Sequence, residues 1–375
     1  MKINDNQLIS EGCICIMGSG EISPHMTTVH KNLLNRIEHI NAVFLETPYG
    51  FQENLTKLTN KVINYFKRSL YVDIIPSGLM ALKNFTLNDQ ALILQTIKAA
   101  NYVFSGPGSP SYALNQWRPI GLTDALYSVV NCDGIICFSS AAAITLGLFA
   151  APIYEIYKVG EEPKWIEGLD LLGRFGLKCV VIPHFDNTDG NGYDTRFCYL
   201  GERRKLLLES LLADDIATLG VDEHTAILLD FKSNTASVYG KNNAYWCIGK
   251  VQLTIKNGTT VSLDALKNTS ICYQLPQPNY STGQLDNTRQ SSDDATSLSI
   301  NQLYYLISLL KKFDHHYNHF KLMIENLLAL RLTARTNRHF VLADQLREIL
   351  TSAGIEIHDT KHKTTWQHKP LDRDI

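Results

Sequence analysis

Ser140 ends the apolar run Gly134-Ile135-Ile136-Cys137-Phe138-Ser139-Ser140 and opens the small-residue run Ala141-Ala142-Ala143. A buried strand that breaks at a serine and continues as a helix is the layout of a nucleophile elbow. The hydroxyl is lifted out of the sheet edge, and the next backbone N–H points where an oxyanion would form. A G-x-S-x-G pattern centred on Ser140 would put glycines where Phe138 and Ala142 stand, and Ser139, flanked by Cys137 and Ala141, is a second candidate hydroxyl. The competing reading is an alanine-rich helix start capped by serine.

Three other segments carry chemistry-bearing residues. Gly106-Pro107-Gly108-Ser109 follows an apolar run and is rich enough in glycine to bring bare amides against a ligand. Pro107 has no N–H to give, so Gly108 is the better donor. Pro183-His184-Phe185 follows Lys178-Cys179-Val180-Val181-Ile182, and in a parallel sheet a general base belongs at that strand end. Asp222 and Glu223 place two acids between strands, while Arg196, Arg203 and Arg204 either meet a substrate carboxylate or pair with surface carboxylates.

The elements that must position these residues follow an α/β rhythm. Strand-like runs at 13–17, 42–45, 71–75 and 101–105 alternate with helical periodicity over 28–39, up to about Phe66, and over 88–99. That alternation predicts a parallel sheet covered on both faces, with functional loops at the strands' C-terminal ends. Residues 151–159 alternate and read as a strand, a helix is expected from Gly201 to about Leu212, and antiparallel hairpin strands run to about Leu263.

With 375 residues, 45% of them hydrophobic and 19% charged, the chain is long enough for one large core plus an appendage. A formal charge of -2 gives no global attraction to nucleic acid or acidic membrane, so such a partner would need a local patch. Eight cysteines without a C-x-x-C pair fit a reducing compartment. No leader pattern or membrane-length apolar stretch is read, and a cytoplasmic location is expected.

Residues 268–298 are polar and read as a linker, dividing the chain into 1–267 and a helical module at 299–375. Within that module His315, His316 and His319 could suggest a metal, but the H-E-x-x-H glutamate is missing and a solvated helix face is the simpler reading.

Taken in order, four of these segments resemble the serine peptidases of the dipeptidase E and cyanophycinase type. They are Gly106-Pro107-Gly108-Ser109, Ser140-Ala141-Ala142-Ala143, Ile182-Pro183-His184-Phe185 and Gly220-Val221-Asp222-Glu223-His224-Thr225-Ala226, and Gly18-Ser19-Gly20-Glu21 fits the first loop. The resemblance implies the class I glutamine amidotransferase-like fold, a three-layer α/β sandwich around a mostly parallel sheet. It implies Ser140 as nucleophile, His184 as base and Glu223 as the acid that orients the imidazole, with the amides of Gly108 and Ala141 as oxyanion hole and no metal or cofactor. It further implies a small peptide or amide substrate containing aspartate, for whose carboxylate Lys158 and Arg196 are the candidate cations, ordinary ion pairs being the alternative for both.

The tail carries a second resemblance. Arg331-Leu332-Thr333-Ala334-Arg335, Ala343-Asp344-Gln345-Leu346-Arg347, Gly354-Ile355-Glu356-Ile357-His358-Asp359-Thr360 and Thr364-Thr365-Trp366 are similar to the C-terminal region of cysteinyl-tRNA synthetases. That makes a tRNA contact conceivable. Between 331 and 375, however, 8 Lys+Arg face 6 Asp+Glu, a small excess for a phosphate-binding surface, and a packing or homodimerisation module is the plainer expectation. Two functions therefore compete: a serine hydrolase working through an acyl-enzyme, and a non-catalytic protein that uses the same pocket and the tail to engage tRNA or a protein partner.

Overall fold

The computed structural model describes residues 12–190, 192–249 and 251–267, together with scattered positions between 324 and 368. The chain forms two compact units, Met1–Tyr280 and Ser281–Ile375. The polar stretch 268–298 and the three histidines at 315, 316 and 319 lie outside the described residues.

In the first unit, short runs of Ile, Val, Phe and Cys form β1 (Cys13–Met17), β2 (Ala42–Leu45), β3 (Ile74–Pro76), β4 (Tyr102–Ser105) and β5 (Ile135–Ser139). These five pair in parallel in the order β1-β5-β4-β2-β3. The helices α1 (Pro24–Leu34), α2 (Leu55–Tyr65), α3 (Leu87–Ala99), α4 (Pro110–Trp117) and α5 (Leu122–Asn131) connect them, and the short α6 (Ser140–Ile144) follows β5. Their starts carry the expected local chemistry. Thr86 and Asp89 cap α3 reciprocally, and the Ser109 hydroxyl accepts the Tyr112 N–H at the head of α4.

Because side chains alternate across a strand, each strand feeds two cores. Ile14, Ile16, Ile136 and Phe138 pack with α4 and α5 on one face, while Cys15, Met17, Ile135 and Cys137 pack with α1 and Phe66 on the other. This is the three-layer α/β arrangement that continuous apolar strands dictate. Each such buried side chain contributes about 1.5–3 kcal/mol of transfer free energy.

Beyond α6 come β6 (Phe149–Ala150), β7 (Ile166–Glu167), β8 (Cys179–Ile182), α7 (Gly201–Glu209) and β9 (Ala217–Val221). Then follow β10 (Thr225–Asp230), β11 (Thr235–Gly240), β12 (Ala244–Ile248), β13 (Val251–Ile255), β14 (Thr260–Ser262) and α8 (Leu263–Lys267). Strands β10, β11 and β14 extend the large sheet antiparallel beyond β1. With β10 on that edge of β1, the histidine-bearing strand β8 does not join the parallel sheet. It pairs in parallel with β9 in a second sheet of order β13-β12-β9-β8.

The two sheets meet at Gly18. Its N–H donates to Thr225 O at 2.9 Å, its carbonyl accepts from His184 N at 3.3 Å, and a Cβ there would overlap the carbonyl oxygens of Val221 and Asp222. Gly18→Ala is expected to cost about 1–3 kcal/mol through this overlap, read as a lower urea midpoint at unchanged slope. An unchanged midpoint would show that the junction tolerates a side chain.

Two local expectations are corrected. Residues 151–159 are not a strand: Ile153 and Ile156 are buried at a spacing of three, and Glu155–Val159 forms a π-helical turn. In the second unit, positions 324–351 that are described are helical, but the module is not helical throughout. Ile355–Asp359 (β15) pairs antiparallel with Thr364–His368 (β16), since Ile355 and Ile357 face inward at period two. Among the described residues no helix is long and apolar enough to cross a membrane.

Candidate active site

Ser140 sits where β5 turns into α6, and it holds a left-handed backbone, φ +51°. For a residue with a Cβ this conformation costs about 1–3 kcal/mol and persists where surrounding packing enforces it. Here the enforcement comes from both sides. Phe138 is fully buried beside Trp117, ring centroids 5.9 Å apart, and the Ala142 N–H donates to Gly106 O at 3.2 Å. Phe138 therefore fits where glycine was expected, because its side chain points into the core and the sharp turn falls on Ser140 itself.

The Ser140 Oγ lies 2.9 Å from His184 Nε2, and His184 Nδ1 lies 2.8 Å from Glu223 Oε1. The neutral imidazole that satisfies both partners carries its proton on Nδ1, donating to the carboxylate and leaving Nε2 to accept the serine hydroxyl. His184 and Glu223 follow the ends of the parallel neighbours β8 and β9, so both arrive at the same edge. The hydrogen bond from His184 holds the Glu223 carboxyl below its ordinary range despite partial burial.

Several residues that sequence reasoning missed brace this line. The Asn187 amide donates to Glu223 Oε1 at 3.1 Å, and the Glu223 N–H donates to Asp186 Oδ1 at 2.7 Å. Asp186 and Asn187 lie just after His184, so the polar pair following a strand end was the available signal. His184 is itself left-handed, φ +48°. Its carbonyl accepts the N–H groups of Asn187 and Cys198, and Phe197, Cys198 and Tyr199 form a run of three left-handed residues packed against it. The Tyr199 ring lies 6.2 Å from the imidazole.

Asp222 is buried beside this cluster, accepting from Asn243 N and the Tyr245 hydroxyl. Burial pushes its carboxyl up to about 6, with the charges of Asp186 and Glu223 adding to the effect. A carboxyl whose folded value exceeds its unfolded one binds its proton more tightly in the folded state. Stability is therefore lost as pH rises from about 4 to about 6 and stays lost above that. Asp222→Asn should be more stable than wild type at pH 8 by on the order of 2–3 kcal/mol, with the gap half closed near pH 5 and gone below about pH 4. Thermal melts across that range check this, and a gap independent of pH would contradict it.

Gly108, φ +145°, presses against the turn at Pro48, where a Cβ would overlap the Pro48 carbonyl. The same loop reaches the elbow through Gly106, bringing the Gly108 loop and the first turn of α6, with Ala141, to one edge. Ser139 is fully buried, and its hydroxyl donates to Glu21 Oε2 at 3.1 Å, so it is not the exposed hydroxyl. Buried Cys137 faces Met17 inside the sheet.

The two candidate cations differ. Arg196 grips Asp194 with two hydrogen bonds of 2.9 Å and also reaches Glu202, the ordinary surface pairing. Lys158 is exposed, its ammonium 5.5 Å from the Tyr154 ring centroid. Among the described residues neither hydrogen-bonds to the side chains of Ser140, His184 or Glu223.

Fold and site together define a three-layer α/β protein with a serine, an imidazole and a carboxylate in one line at the junction of two sheets. Comparison with a solved structure agrees on the architecture. A peptidase from an acI-B1 Actinobacterium superposes with a TM-score of 0.55 at 18% identity, over 68% of this chain and 98% of that one. A putative peptidase E protein from Listeria monocytogenes EGD-e gives a TM-score of 0.40 at 11% identity, over 65% of this chain and 98% of that one.

No family model matches the sequence. Cysteine–tRNA ligases of the Legionella pneumophila strains Corby and Paris are each 51% identical over 47 residues, 12% of this chain. The chain spans only 10% of the length of these curated relatives.

Proposed function

We propose that this chain is a serine-type hydrolase that cleaves a peptide or amide bond of a small substrate through an acyl-enzyme. The observation that carries the reading is the continuous hydrogen-bonded line from Ser140 through His184 to Glu223, starting at a strained elbow. Ser140 Oγ attacks the carbonyl carbon while its proton passes to His184 Nε2, and Glu223 steadies the imidazolium. The N–H groups of Gly108 and Ala141 receive the oxyanion. Collapse of the tetrahedral intermediate breaks the C–N bond, His184 gives its proton to the leaving amine, and water, activated by the same imidazole, releases the acid.

The substrate class we put forward is a small Asp-containing peptide or amide. Of the two candidates, Lys158 is the cation we assign to its carboxylate, because Arg196 is paired with Asp194 and Glu202. The test is rapid mixing with aspartyl amides: a burst of released amine stoichiometric with enzyme is expected, absent in Ser140→Ala and present in Ser139→Ala. A burst that survives Ser140→Ala would overturn the assignment.

A second reading, a binding protein that engages tRNA or a protein through its tail, is favoured by the 47-residue similarity to cysteine–tRNA ligases. No burst on any small amide, together with salt-dependent retardation of tRNA by the full chain, would support it instead.

A further inference from the structure

Beside the Gly106–Gly108 loop lies a cleft of about 250 Å³, walled by Phe44, Tyr49, Phe104 and Tyr154. Two of its lining residues are charged, Glu21 and Lys61. Glu21 lies on the loop between β1 and α1, and that loop is held by buried His30, whose Nε2–H donates to the Glu21 backbone carbonyl at 2.8 Å while Nδ1 lies 2.7 Å from the Tyr102 hydroxyl. The backbone that carries the carboxylate is thus set from behind. Its Oε2 accepts the Ser139 hydroxyl, one residue from the proposed nucleophile, and its Oε1 stands 3.8 Å from where a Cβ on Gly106 would be. Among the described residues Glu21 makes no ion pair, and Oε1 has no hydrogen-bond partner.

Among the described residues, then, no cation stands against the half-buried Glu21 carboxylate: the Ser139 hydroxyl is its side-chain partner, and His30 holds only the backbone carbonyl of the same residue. Inside an aromatic-walled cleft, where water screens poorly, such a charge attracts a cation strongly and repels an acid. We infer that Glu21 is a specificity-determining residue that receives a cationic group, an ammonium or guanidinium, on the acyl side of the scissile bond. This rests on the hydrolase reading and adds a charge requirement to it. Lys61, exposed at the same cleft, suits a negative group further out. An α-amine on an aspartyl residue and the side chain of a basic residue both offer Glu21 its cation, and a carboxylate carried further along the ligand meets Lys61 while Lys158 stays the partner proposed for the aspartyl side chain.

The test is calorimetric binding to the full chain carrying Ser140→Ala, which cannot turn ligands over. One pair of ligands is aspartyl-alanine and N-acetylaspartyl-alanine, which differ in the α-ammonium. The other is N-acetyl-lysyl-alanine and N-acetyl-norleucyl-alanine, which differ in a side-chain ammonium. The cationic member of at least one pair should bind about tenfold more tightly than its neutral counterpart, and the pair that discriminates shows which ammonium Glu21 takes. Glu21→Gln, which keeps an acceptor for Ser139, should level that pair. No discrimination in either pair, absence of binding included, or discrimination that survives Glu21→Gln, overturns the inference. A missing amine burst in wild type would instead count against the hydrolase reading, while the charge preference would still be read by binding.

Discussion

Ser140→Gly is expected to abolish turnover and to be more stable than Ser140→Ala by about 1 kcal/mol. Both variants lose the nucleophile and the 2.9 Å contact to His184, so their difference isolates the backbone. At φ +51° a Cβ is strained, and glycine removes that strain. For activity the loss should be on the order of 10⁴-fold or more, because the covalent route is closed and only the oxyanion site and binding remain. Urea melts and amide hydrolysis measure the two effects on the same protein samples. If alanine proved as stable as glycine, the elbow would not be strained, and the hydroxyl would have no structural reason to stand where it does.

Glu223→Gln should lower kcat by about 10²- to 10⁴-fold with little change in KM. A glutamine amide presented to His184 Nδ1 can donate to it, which stabilises the tautomer protonated on Nε2. That nitrogen then cannot take the serine proton. The change is nearly isosteric, so the fold should be retained, with the single Asn187 Nδ2 bond to the same position given up when the amide nitrogen faces His184. A parallel fall in stability and activity would mean that Glu223 only holds the sheets together.

The strands and their polarity were legible because buried parallel strands are short apolar runs between helices, as Cys13–Met17 and Ile135–Ser139 show. The elbow at Ser140 was legible from its small neighbours. Phe138 obscured it only because a linear pattern does not say which face a side chain takes, and here alternation sends the ring to Trp117. Illegible were facts created by long-range pairing. That β8 joins β9 in a second sheet depends on β10 occupying the edge of β1. Glu21 and Asn187 gain their roles from partners 118 and 36 residues away, which no local spacing encodes. The stretch 151–159 differs from a strand because its alternating sequence carries no sign that, between Ile153 and Val159, only Ile153 and Ile156 are buried.

The most direct measurement is the site of covalent capture by a fluorophosphonate, mapped by mass spectrometry on the full chain. The expected result is one phosphonyl group on Ser140, absent from Ser140→Ala, slowed by Glu223→Gln and unaffected by Ser139→Ala. An unmodified chain, or an adduct on another residue, would contradict a nucleophile at the head of α6.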